Sequence, residues 1–293
     1  MDSFEAIETR SDSHVGGWVT TTDNAKIWVD VHGRGLPIVL LHGWTMSSAF
    51  WRRQIALSDE YQLITIDLRG HGKSQAVLRG NTIPRYARDV REVLRALRLR
   101  NVLLVGWSMG GSVVMDYWQQ YGSDLLSGLG LVETGPAPMS PAPWNLHSYR
   151  NHNMEAMHHD LAYMVKNRKP YGEAFINAMF LSGDAPSHAL SWMLNEQLEV
   201  TDQTATAIYE DYIQRDYTGV LPSISVPALV IYGRSKHMCF GPSTGRYVAG
   251  SIPDSNFVIL EQSGHLPFYE EPTLFNEAIT YFSNRLACPG KNQ

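Results

Sequence analysis

The chain has 293 residues, 44% of them hydrophobic and 18% charged, with a formal net charge of −5. That length buries a sizeable apolar core without staples, and that composition excludes wholesale disorder. The negative balance gives no electrostatic reason to expect nucleic acid or an anionic membrane as a partner. Two cysteines, Cys239 and Cys288, form neither a disulfide framework nor a zinc motif, which fits a reducing compartment. The first residues lack a basic and apolar leader, and no apolar run is long enough to span a bilayer. The expectation is a soluble, cytoplasmic protein.

Residues 1–14 are polar and aperiodic and read as a loose tail. Trp18–Thr21 and Lys26–Val31 read as a hairpin turning at Asp23-Asn24. Short apolar runs follow at Ile38–Leu41, Leu63–Ile66, Val102–Val105, Leu129–Val132, Ala228–Ile231 and Phe257–Leu260. Runs that short, without alternation, suit strands buried on both faces of a parallel sheet. Helical periodicity marks Ile83–Leu99, Met109–Tyr121 and Pro272–Leu286. The arginines between Arg79 and Arg100 are interrupted by Asp89 and Glu92, with Val90, Val93, Leu94 and Leu97 at helical spacing. They read as a solvated helix face. Strands and helices in alternation predict an α/β fold, a mostly parallel central sheet flanked by helices. From Pro136 to about Val220 the alternation stops. The predicted organisation is a core in two parts, 15–135 and 221–287, with a helical cap inserted at 136–220.

Gly106-Trp107-Ser108-Met109-Gly110 lies between a predicted buried strand and a predicted helix. Glycines flanking the serine suit a strained elbow that brings the two backbones together and lifts the hydroxyl clear of the sheet. In that context Ser108 is the candidate nucleophile. Leu40-Leu41-His42-Gly43-Trp44 follows an earlier strand. With these two segments the sequence resembles the α/β-hydrolase superfamily, its cofactor-free haloperoxidase and esterase branch in particular. The resemblance covers nearly all of Gly16 to Leu286 apart from the cap. It implies that the backbone N–H groups of Trp44 and Met109 form an oxyanion hole, and that neither cofactor nor metal is required. Asp67-Leu68-Arg69-Gly70-His71-Gly72-Lys73-Ser74 matches a further family signature with a structural role, so His71 is not expected to be catalytic.

Gly264-His265-Leu266-Pro267 follows the last predicted strand, where the family places its catalytic histidine, and His265 is the candidate general base. The family's usual acid is the aspartate of a Gly-x-x-Asp after the penultimate strand. Here that segment is Gly233-Arg234-Ser235-Lys236, and a lysine cannot accept a hydrogen bond from an imidazole. Glu133, ending the strand after the nucleophile helix, is the substitute, an arrangement that resembles zearalenone lactonase and certain dehalogenases. Lys236 is then expected beside it, holding it ionised. The other reading makes Glu133 a partner for backbone donors and leaves Ser108 and His265 as a dyad. Asp254 and Glu261 are poorer candidates. His158 and His159 beside Asp160 lack matching metal ligands.

The cap contributes Trp144, Met154, Met157, Tyr163, Met164, Phe175, Met179, Phe180, Trp192 and Met193. Most read as core of the cap helices; a few are expected to face the serine as an adaptable apolar wall. The expected activity is hydrolysis of a carboxylic ester or lactone of a hydrophobic small molecule, through an acyl-enzyme. Two alternatives stand beside it: peracid or C–C hydrolase chemistry at the same site, and a ligand receptor on the same fold. A homodimer is compatible with the sequence.

Overall fold

The computed structural model describes residues 4–11, 14–151, 153–238 and 240–287. Cys239 and Cys288 lie outside them. Three strands, β1 (Phe4–Ser11), β2 (His14–Thr20) and β3 (Lys26–His32), make an antiparallel meander, with Asn24 at φ 65° in the expected hairpin turn. Six more follow: β4 (Pro37–Leu41), β5 (Gln62–Ile66), β6 (Val102–Trp107), β7 (Leu126–Val132), β8 (Ala228–Tyr232) and β9 (Ser255–Ile259). These run parallel to one another, and the sheet order is β1-β2-β3-β5-β4-β6-β7-β8-β9. β3 joins the meander to the parallel part by antiparallel pairing with β5. Every residue of β4, β6 and β8 is buried, as strands covered on both faces require.

Residues 4–11 form an edge strand on β2, where the sequence reading expected a loose tail. An edge strand is held by main-chain ladder bonds, so it can form without an apolar pattern.

Helices cover both faces. On one lie α1 (Ile83–Ala96), capped by Thr82, and α2 (Met109–Tyr121), whose apolar residues join one core cluster. Between β7 and β8 come α3 (Met154–Lys166), α4 (Arg168–Met179), α5 (Ser187–Glu199) and α6 (Asp202–Ile213), the helices expected of the inserted segment. α7 (Pro242–Ser251), which the sequence reading passed over, packs on β8 and β9. The other face is covered by a 3-10 helix at Ser48–Asp59, by α8 (Pro267–Glu270) and by α9 (Pro272–Ala287), around Trp51, Phe268, Phe275 and Phe282.

The arginine-rich face of α1 is only partly solvated. Arg69, 2% exposed, sends Nε to Asp89 Oδ2 at 2.7 Å and Nη2 to Asp89 Oδ1 and Asp23 Oδ1, each at 2.8 Å. Arg85 reaches Asp89 and Glu92, and Glu92 accepts the Thr22 N–H at 2.7 Å. Asp89 and Glu92 therefore point inward, into a network that pins the β2–β3 turn and the loop after β5 onto α1. Helical periodicity alone could not place their partners, which come from elsewhere in the chain. Removing one member strands a buried charge. Arg69→Met is expected to lower unfolding stability by about 3–5 kcal/mol. Arg88→Ala, on the exposed rim of the same helix, should cost less than about 1 kcal/mol. Urea melts of the two variants check the contrast.

Candidate active site

β6 ends at Trp107 and α2 begins at Met109, leaving Ser108 alone in the turn at φ 54° and ψ −122°. That region is costly for any residue with a side chain, and such strain persists only where the surroundings enforce it. They do so by contact. A Cβ on Gly106 would stand 2.1 Å from the Gly110 carbonyl oxygen, and one on Gly110 would stand 2.6 Å from those of Leu41 and His42. Strand, helix and the loop after β4 therefore meet backbone to backbone, and only glycine permits it. The Ser108 N–H donates to Val132 O at 2.9 Å, and Thr134 Oγ1 donates to Ser108 O at 2.8 Å.

The parallel register carries the site sideways. Trp107 pairs with Val132 and Val132 with Ile231, so Ser108 and Glu133 leave neighbouring strands at the same level. Glu133, fully buried at φ 44°, donates its N–H to Ile231 O at 3.0 Å. Its Oε1 accepts the Gly233 N–H at 2.7 Å, and its Oε2 lies 3.1 Å from His265 Nδ1. A carboxylate there favours the tautomer with hydrogen on Nδ1, leaving a lone pair on Nε2. His265 is 1% exposed. Its N–H donates to Met179 O at 2.7 Å, and its carbonyl accepts Trp107 Nε1–H at 2.9 Å. Glu133 and His265 are thus in contact, and Ser108 sits one residue from the indole that holds the histidine backbone.

The remaining acidic candidates are engaged elsewhere. Asp254 pairs with Arg285 at 2.6 Å, and Glu261 pairs with Arg234 at 2.6 Å on the surface. Lys236 is exposed, contrary to the expectation that it would stand against Glu133. Both Glu133 oxygens are occupied by Gly233 and His265 instead. His158 and His159 are exposed on α3.

The loop after β4 is set by a buried histidine. His42 Nδ1 lies 2.8 Å from Gly43 O and its Nε2 accepts the Leu68 N–H at 2.9 Å, an arrangement that suits a neutral ring. Burial, with the nearby His71, holds its pKa well below the ordinary value. Among the described residues, the backbone N–H groups of Trp44 and Met109 have no protein acceptor. For Met109 this follows from its place at the start of α2. The Trp44 indole donates to Ala205 O at 2.9 Å and packs on Tyr209 and Phe175, tying this loop to α4 and α6.

Sequence reasoning missed a layer beyond the histidine. Phe240 stacks on His265 with centroids 5.5 Å apart, and buried His147 meets Phe240 edge-to-face at 5.8 Å. Glu270 accepts the N–H groups of Leu181 and Gly264 and so fixes the histidine loop against the segment after α4. Glu270, in the helix right after Gly-His-Leu-Pro, could have been suspected from the sequence; Phe240 and His147 carry no local signal. Of the residues between β7 and β8 that the sequence assigns to a cap, Met157, Met164, Met179 and Met193 are buried. Trp144 stacks on Tyr247 of α7, and Tyr163 is exposed.

The comparisons agree with this architecture. A family model described as alpha/beta hydrolase fold matches residues 37–272, and the chain belongs to that family. Within it the chain falls in the branch of cofactor-free haloperoxidases and esterases. It is 27% identical to a non-heme chloroperoxidase, CPO-A1, of Kitasatospora aureofaciens, over 91% of this chain and 98% of that one. It is 26% identical to the bifunctional esterase/perhydrolase DCH of Acinetobacter calcoaceticus, over 90% and 99%. Among solved structures it is similar to an esterase from Exiguobacterium antarcticum, with a TM-score of 0.83 and 26% identity, over 91% of this chain and 98% of that one. No helix among the described residues is long and apolar enough to cross a membrane.

The buried histidines around the site make stability depend on pH. Burial lowers His71 to about 4 and His147 to about 3. Each must gain a proton on unfolding once the pH falls below the ordinary imidazole range, so each costs stability in acid. Asp67, raised to about 6 by burial, works the other way, because the folded state keeps a proton that the unfolded state releases. Unfolding stability is therefore expected to fall between pH 7 and pH 5. In His147→Leu the slope near pH 5 should shrink by about one proton, or about 1.4 kcal/mol per pH unit. Urea melts across that range measure it; an unchanged slope would contradict a neutral His147.

Proposed function

We propose that the chain is a serine hydrolase that cleaves a carboxylic ester or lactone of a hydrophobic small molecule through an acyl-enzyme. The observation that carries the reading is the fully buried contact of 3.1 Å between His265 Nδ1 and Glu133 Oε2, next to a serine held in a strained elbow. On this reading Ser108 attacks the carbonyl while His265 Nε2 takes its proton. The N–H groups of Trp44 and Met109 receive the oxyanion, and His265 returns the proton to the leaving alkoxide. Water, deprotonated by the same histidine, then releases the acid. Glu133 holds the tautomer and stabilises the imidazolium. The inserted helices α3–α6 act as the cap, with Trp44 packed against Tyr209 and Phe175 where it meets the oxyanion loop.

Support also comes from the similar solved esterase. The relative named as a bifunctional esterase/perhydrolase favours one second reading, in which hydrogen peroxide replaces water on the acyl-enzyme and releases a peracid. Both readings need a labile Ser108. A fluorophosphonate probe should label the chain stoichiometrically at Ser108, and His265→Ala should abolish labelling. A chain that stays unlabelled at neutral pH would be a binding protein rather than an enzyme.

Glu133→Gln is expected to lower turnover of p-nitrophenyl esters at least about a hundredfold, since it removes the charge that orients and stabilises the histidine. Asp254→Asn and Glu261→Gln should stay near the parent rate. Near-parent turnover in Glu133→Gln would leave Ser108 and His265 as a dyad.

A further inference from the structure

β2 and β3 present two chemically different faces. Val15, Gly17 and Val19 of β2 alternate with His14, Gly16 and Trp18, and Ile27, Val29 and Val31 of β3 alternate with Trp28, Asp30 and His32. Val19, Ile27 and Val29 belong to the core of the sheet, and Val31 packs against it. On the opposite face the register pairs His14 with His32, Gly16 with Asp30 and Trp18 with Trp28. Directly opposed residues of antiparallel strands share a face, as do residues two apart on one strand. Two imidazoles and a carboxylate therefore converge at one point on the outward face of the meander.

The geometry points to a site for one divalent transition-metal ion, of the zinc class, at His14, Asp30 and His32. One ligand atom from each lies within 4.8 Å of the others. His14 Nε2 is 3.1 Å from Asp30 Oδ1, and the two imidazole rings stack with centroids 4.1 Å apart. Ligand atoms on a tetrahedral shell of about 2.0–2.2 Å stand about 3.3–3.6 Å apart, inside the 4.8 Å span of the three residues, so the rings turn out of their stack to close on the ion. Side-chain rotation suffices, because the backbone register already sets the three residues together.

Two features make this more than a chance of neighbours. The second carboxylate oxygen, Asp30 Oδ2, accepts Trp28 Nε1–H at 2.8 Å. Metal sites commonly orient a ligating carboxylate through such an outer hydrogen bond. Gly16 supplies the other feature, since a Cβ there would stand 2.8 Å from Asp30 Oδ1 and 2.7 Å from the Trp28 ring. The carboxylate can occupy the point opposite β2 only because the facing residue has no side chain.

The three residues line one wall of a cleft of about 540 Å³, whose other walls include Asp67, Lys73, Arg52, Glu196 and Glu199. Three protein ligands leave a coordination position open toward that cleft for water or a small anion. On binding, the ion takes the His14 Nε2 lone pair and the imidazole proton resides on Nδ1. Nitrogen and carboxylate oxygen together suit zinc, nickel or cobalt rather than calcium or magnesium. The bound ion would brace the meander at the end of the sheet away from β8 and β9.

The test uses the full chain without an affinity tag, stripped with EDTA and titrated with Zn²⁺ by calorimetry and Co²⁺ by visible absorption. One equivalent of Zn²⁺ is expected to bind and to raise the melting midpoint by at least about 3 °C at saturation. Co²⁺ should give a visible d–d band. His14→Ala and His32→Gln should lose both signals, and Asp30→Asn should weaken binding at least about tenfold. Circular dichroism with EDTA verifies that each variant is folded. The double variant of His158→Ala and His159→Ala, the exposed pair on α3, should keep the site. No saturable binding to the parent chain, or binding that survives loss of both His14 and His32 in a folded variant, overturns the assignment. Fluorophosphonate labelling of Ser108 is read separately, so the fate of one site does not decide the other.

Discussion

The approach of two backbones at Gly106 and Gly110 is the constraint on which the rest of the site rests. Strand β6 can run into helix α2 only if neither residue carries a Cβ, and the turn between them then forces Ser108 to positive φ. The same contact draws in the carbonyls of Leu41 and His42, so the loop after β4 is placed by the elbow. Local strain at one residue is sustained by the packing of three elements around it. From there the parallel ladder transmits position: Ser108 leans on Val132 O, and Glu133 on Ile231 O.

That ladder also explains how an acid on β7 can reach a histidine beyond β9. Residues at equal heights on adjacent parallel strands project from the same edge of the sheet. Glu133 therefore begins level with the loop that follows β8, where its family's aspartate usually sits. Gly233 opens that loop, and its N–H meets the Glu133 carboxylate directly. The carboxylate that meets His265 therefore comes from the side of that loop and not from within it. Lys236 is free to face water, and Arg234 to pair with Glu261 at the surface.

Much of the fold was legible because buried parallel strands write themselves as short apolar runs. The runs at Ile38–Leu41, Val102–Val105 and Ala228–Ile231 lie inside β4, β6 and β8. β1 was not legible, since its stability comes from main-chain pairing with β2 rather than from side-chain pattern. Asp89 and Glu92 looked like solvent breaks in an arginine run; their burial depends on Arg69 and Thr22, which no local window contains. Of the candidate site, Ser108 and His265 could be picked out from their immediate neighbours. Glu133 needed the register of two strand pairs to make sense of it. Phe240 and His147 were out of reach, because each meets the histidine side of the site through tertiary packing alone.

One bond gives the inserted helices a bearing on the chemistry of the histidine. The His265 N–H ends on Met179 O, the last residue of α4, and Glu270 holds the chain on both sides of that contact. The imidazole is thus suspended between the sheet, through Glu133, and the insertion, through its own main chain. A movement of α4 away from the sheet would strain both attachments. The C-terminal end of α4 is thus tied to the core through both His265 and Glu270 and belongs mechanically with it.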